Sequence, residues 1–148
     1  MQTPFAPYEI RALNLESLKL CRVYVLLKSK AESGYYQEGL WHAYLVTPHN
    51  HLEAPFDYVI DTVQGEGVPP EVCGMVQAYC PVHVDESQLG NALYTMSERQ
   101  MSLVHKKFGD MIMGESWTLT PEQAALSDIS IDIVMTIQNA IPDRSVLT

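Results

Sequence analysis

Basic residues are scarce in this chain. Nine Lys and Arg stand against 18 Asp and Glu, a formal charge of −9. The basic residues gather only weakly, at Arg22, Lys28 and Lys30 and at Lys106 and Lys107. Neutralising a phosphate backbone needs a basic face, so direct nucleic-acid binding is not expected. Long apolar runs are missing too. The longest, "VYVLL" (23–27), falls far short of the ~20 residues that span a bilayer. The opening "MQTPFAPYEI" carries no basic n-region and no apolar h-region, so neither a signal peptide nor a membrane partner is expected. The three cysteines are an odd count with no secretory context, which favours reduced, mostly buried thiols over a disulfide framework. No low-complexity tract or internal repeat is visible.

What is present fits one globular domain. The length is 148 residues and the apolar fraction 47%, enough for one core. The acidic residues are spread along the chain rather than gathered in a tail. That distribution suits solubility, a basic protein partner, or assembly steered by local charge.

The segment "NLESLKLCRVYVLLKSK" (14–30) reads as a helix capped by Asn14 that passes into an extended segment, because its tail "RVYVLL" prefers a strand. "LWHAYLV" (40–46) and "DYVIDTV" (57–63) read as strands, being short, aromatic or β-branched and bounded by breakers. "AESGYYQEG" (31–39) and "QGEGVPPE" (64–71) are loops. "VQAYCPVHV" (76–84) alternates. Val76, Ala78, Cys80, Val82 and Val84 share one face, and Gln77, Tyr79, Pro81 and His83 the other. Pro81 cannot donate to a ladder, so this strand lies at an edge or bends there. After it, Asp85 and Gln88 form a capping-box pattern, and Leu89, Ala92, Leu93, Met96, Leu103, Val104 and Phe108 suit one helix face. A long helix is expected over 86–108, with His105, Lys106 and Lys107 in its last turn and Gly109 as its stop. "TPEQAAL" (120–126) opens a short helix with Thr120 as cap and Pro121 at the first position. "ISIDIVMTI" (129–137) fits either period. Its shortness and β-branching favour a strand.

Consecutive strands without crossover helices favour an antiparallel sheet. The expected fold class is α+β. It is a single domain over 1–148, with a mostly antiparallel sheet of about four or five strands packed by the long helix 86–108 and a shorter N-terminal helix. Residues 1–10 and 142–148 are expected to be loose ends.

Candidate chemistry is thin. "LVTPHNHLEAP" (45–55) places His49 and His51 around Asn50, but Pro48 and Asn50 are turn residues in their own right. A metal site needs three or four converging donors. The others on offer are His42, Cys73, Cys80 and His83, and Cys80 and His83 point to opposite faces of a strand. His49 and His51 are therefore metal candidates only against a solvated turn as the simpler reading. No serine sits on a Gly-rich elbow. "QGEGVPP" lacks the Lys and Ser or Thr of a phosphate loop. Met96, Met101, Met111 and Met113 suit adaptable core packing. Met96, Met101, Phe108, Trp41, Tyr35 and Tyr36 are also candidate interface residues. No cofactor is expected.

The order of elements over residues 54–138 resembles the tail terminator proteins of long-tailed bacteriophages. It rests on "APFDYVIDTVQGEG", on "AYCPVHV" followed by the acidic cap "DESQL", on a long helix, and on a final alternating strand. The resemblance implies a non-enzymatic virion assembly subunit. Such a subunit forms a ring with copies of itself, usually a hexamer, between the tail tube and the head connector, and is assembled in the host cytoplasm. The residues leave two alternatives. One is an acidic inhibitor or immunity-type protein that occupies a basic partner. The other is a small metal-dependent hydrolase using the His49/His51 loop.

Overall fold

A computed structural model describes residues 5–18, 23–31, 39–48, 57–60, 72, 74–113 and 119–142. The side chains at 78, 79, 108 and 110–113 lie outside that description. Among the described residues six strands come first and two α-helices last. They are β1 (Glu9–Leu13), β2 (Tyr24–Lys30), β3 (Leu40–Thr47), β4 (Tyr58–Ile60), β5 (Gly74–Asp85), β6 (Leu89–Thr95), α1 (Glu98–Met113) and α2 (Pro121–Asn139). The strands form one sheet in the order β4-β5-β3-β2-β1-β6, and every pairing is antiparallel. The chain is a single α+β domain, with more strands than the four or five expected.

Strict alternation along β2 and β3 builds a core on each face of the sheet. On one face Ile10, Leu26, Tyr44, Val46, Tyr58, Ile60 and Val76 pack with Met96, Met101 and Val104. Leu93 and Tyr94 of β6 join the same cluster as Ile60 of β4. Both ends of the sheet order thus contribute to one apolar cluster on this face. On the other face Val25, Leu27, Trp41, Ala43, Leu45, Cys80, Val82 and Val84 pack with Ile137 of α2. α1 covers the first face and α2 the second.

The single alternating phase expected for 76–84 does not hold. Leu45 pairs with Gln77, and the next residue back, Tyr44, pairs with Pro81. Three extra residues of β5 thus sit opposite one step of β3. An odd insertion inverts the side-chain phase. Val76 consequently joins the α1 face, whereas Cys80, Val82 and Val84 join the α2 face. Pro81 lies at this irregularity. Among the described residues β4 pairs only with 74–76, and no described strand pairs Pro81 on that side, where its missing N–H does no harm.

Three further expectations are corrected. Of residues 14–30, Glu16–Leu18 form one 3-10 turn where a helix is expected, the extended segment expected after it is β2, and residues 19–22 lie outside the described residues. The helix expected over 86–108 is instead a 3-10 turn (Glu86–Gln88), a strand and the start of α1. The Asp85–Gln88 capping box exists, but it closes that single turn. Residues 89–95 hold Gly90 and Asn91, poor helix formers, and they supply the partner that β1 needs on its outer edge. The box that starts α1 is Ser97–Gln100. Gln100 N–H donates to Ser97 Oγ at 3.1 Å and Ser97 N–H to Gln100 Oε1 at 2.8 Å. Gly109 and His105–Lys107 are interior to α1 rather than its end. Finally, 129–137 is helical. The cap at Thr120 and Pro121 starts a helix that runs on to Asn139, burying Leu126, Ser130 and Ile137 at helical spacing. Packing of that stripe overrides β propensity.

The N-terminus is tied down from Ala6 onward. Ala6 N–H donates to Glu9 Oε1 at 2.9 Å, and Arg11 Nε to the same oxygen at 3.0 Å. Arg11 Nη1 reaches Gly90 O at 2.9 Å, and its guanidinium lies 4.3 Å from the Phe5 ring centroid. Tyr8 adopts φ 75°, unusual for a bulky residue. That turn lets its N–H reach Leu27 O and its carbonyl accept from Met96 N–H, both at 2.8 Å. Glu9 and Ile10 are therefore strand, not loose end. Residues 143–148 lie outside the described residues.

Candidate functional site

On the α1 face, beyond the end of the apolar cluster, β2, β3 and β5 present Lys28, His42, Tyr44, Pro81 and His83. With Gln138 of α2 they line a cleft of about 550 Å³, inside the ~300–1,000 Å³ range of small-molecule sites. His42 and His83 are register partners on β3 and β5. Their ring centroids are 4.8 Å apart at 52°. Lys28 Nζ lies 5.8 Å from the Tyr44 ring centroid, and His105 of α1 meets that ring edge-on at 6.3 Å. Gln138 Oε1 accepts the His83 backbone N–H at 3.1 Å. α2 thereby covers part of the β5 edge that β4 leaves open.

The electrostatics follow from this crowding. Burial holds the His83 pKa below its ordinary value, and the neighbouring His42 adds to the effect. Burial also lowers His105, with Lys28 second. Both shifts disfavour the charged imidazole, as desolvation and like charge must. At neutral pH His83 is a neutral ring with one donor and one acceptor nitrogen.

The outer side of α2 is the second unusual surface. Ile129, Ile131 and Met135 are 54%, 51% and 49% exposed. Asp128 and Asp132 lie between them and are also exposed. A helix that only covered a sheet would put such aliphatics inward. From Phe108 to Pro142 the sequence has no Lys, Arg or His, so nothing basic offsets these carboxylates locally. Inward, Ser130 Oγ donates to Gln77 Oε1 at 2.7 Å, with both residues fully buried. Gln88 Nε2 donates to Ile137 O at 2.9 Å. These bonds fix which face of α2 points out.

The expected site residues fall elsewhere. Met96, Met101 and Trp41 are each only 2% exposed, so they are core of one chain rather than interface. The physical reason is α1's position. Its stripe through Met101 and Val104 packs on the sheet, while Trp41 faces the α2 side and donates Nε1–H to Glu86 Oε2 at 2.8 Å. His49, His51, Tyr35, Tyr36, Cys73 and the Phe108 side chain lie outside the described residues. Cys80 is a buried thiol in the α2-side core, on the opposite face from His83, as the strand argument required. Among the described residues, no group of three or more His, Cys, Asp or Glu could hold a metal ion, and no helix is long and apolar enough to cross a membrane. In the sequence His42 and His83 stand only as separate donors, 41 residues apart. Their pairing depends on the β3–β5 register. The exposed aliphatics of α2 were visible as the helical option for 129–137.

No known family model matches the chain, and no curated protein does. Among solved structures the fold is similar to an endoribonuclease in complex with its cognate antitoxin from a mycobacterial species. The match has a TM-score of 0.50 at 13% identity, covering 76% of this chain and 97% of that one. This overturns the tail terminator reading. The fold's likeness is to a chain of a toxin–antitoxin complex. The long helix over 86–108 and the final strand over 129–137 that carried the resemblance do not form.

Proposed function

We propose that this chain is an acidic partner-binding protein of the inhibitor or immunity type. It acts by docking the outer side of α2 against a basic, partly apolar surface on another protein. The observation that carries this reading is the set Ile129, Ile131 and Met135, half-exposed around Asp128 and Asp132. Aliphatic anchors supply affinity when desolvated. The carboxylates, in a segment without a base, set the sign of the partner and speed its encounter. The solved structure of similar fold is itself a complex of two proteins, which agrees with this reading.

The test compares affinity purification from source cells with the wild-type chain and with an Ile131→Lys/Met135→Lys/Asp128→Lys variant as parallel baits. All three residues are exposed, so the variant keeps its circular dichroism spectrum. The expected result is a basic protein held by wild type, released as salt rises, and missing from the variant. Identical profiles from the two baits would overturn the assignment.

A further inference from the structure

We infer that the cleft between β2, β3, β5 and the end of α2 binds an oxyanion of the phosphate class. Lys28 has only donors. His42, His83 and Tyr44 each bring an N–H or O–H. Gln138 Oε1 accepts the His83 backbone N–H, and its amide adds two N–H donors. Among the described residues, no carboxylate lines the cleft. That is a local reversal in a chain of net charge −9.

Two imidazoles held 4.8 Å apart repel when both are protonated. A bound anion lifts that penalty, because it favours the charged form of each ring. The charged and titratable groups facing His83 here are Lys28 from β2, His42 and Tyr44 from β3, and His105 of α1 against Tyr44. α2 contributes only the uncharged Gln138. A divalent transition cation fits less well. Among the described residues it would find two imidazoles and no third His, Cys, Asp or Glu, with an ammonium in the same cleft.

The experiment follows the imidazole resonances of the full chain by ¹H–¹⁵N spectroscopy. Inorganic phosphate is added at constant ionic strength against a chloride control. The His42 and His83 signals are expected to move saturably with phosphate, and His83 to titrate at higher pH in its presence. Lys28→Gln, at an exposed position, is expected to weaken binding about tenfold, the loss of one charge-assisted hydrogen bond. Lys106→Gln, on exposed α1 surface, leaves it unchanged. A nucleoside monophosphate runs as a second arm. Tighter binding than phosphate identifies an ester as the ligand, and equal binding identifies the free ion. Matching titrations in phosphate and chloride would overturn the inference. So would an unaltered Lys28→Gln affinity, or a saturable shift given by zinc ion alone.

Discussion

The two helices do different work on the two faces of one sheet. Over its described side chains α1 is amphipathic, with Leu103 its one exposed large aliphatic. Gln100, Met101 and Val104 are buried, while Ser102, His105 and Lys106 are exposed, and beside it the sheet carries the basic residues Lys28, His42 and His83. α2 is aliphatic on nearly all sides. It buries Leu126 and Ile137 and still exposes Ile129, Ile131 and Met135, with acidic residues as its only charges. One face is thus completed by its helix. The other is covered by a helix that itself presents unpartnered apolar surface. The lesson is that the same packing role does not imply the same outward chemistry, and that the molecule carries its charge asymmetrically.

The sharpest way to break that comparison is a pair of methionine truncations. Met101→Ala, beneath α1, is expected to cost about 2–5 kcal/mol through transfer and cavity terms. Met135→Ala, outside α2, should stay within ~0.5 kcal/mol. Urea unfolding of both variants checks this, and equal losses would mean that Met135 packs in a core. Next in size is Ser130→Ala. It removes the donor to Gln77 Oε1 in a fully buried contact and should cost about 1–3 kcal/mol. The same alanine at exposed Asp128 should be nearly silent.

Smaller still are the caps. Ser97→Ala for α1 and Thr120→Ala for α2 each remove one side-chain acceptor from a reciprocal box. Each loss should be about 1 kcal/mol, seen as comparable shifts in urea midpoint. A clear inequality would show that one helix depends more on its start. The last effect concerns pH and should belong to the basic face alone. His83 and His105 bind protons less readily folded than at their ordinary value of 6.5. Below that value the unfolded chain takes up protons that the folded chain refuses. Stability therefore declines as pH falls through about 6.5 and is unaffected by these groups well above it. His83→Gln should flatten part of the slope between pH 7.5 and 5.5 in thermal melts. An unchanged slope would separate His83 from the effect.

Much of the fold was legible locally. The strand expected over 40–46 spans Leu40–Thr47, because aromatic and β-branched residues between breakers admit few alternatives. The Thr120–Pro121 cap started a helix where its chemistry said it would. Misreadings arose where two local patterns were both satisfied. "ISIDIVMTI" obeys both periods, and only the stripe from Leu126 to Ile137 against β5 selects the helix. Leu89–Thr95 carries helix-compatible spacing, and only the free edge of β1 makes it a strand. The candidate cleft was least legible, since His42 and His83 are far apart in sequence.

The amino-acid string by itself determined the acidity, the single-domain size, the antiparallel character that loop-joined strands impose, and the caps at Asp85 and Thr120. Those depend on composition and on neighbours a few residues apart. The three-dimensional arrangement decided the phase of β5, the partner of β1, the outward face of α2 and the meeting of two imidazoles. Each of these depends on which distant strand lies alongside, and register across a sheet is set by burial on both faces at once rather than by any one segment.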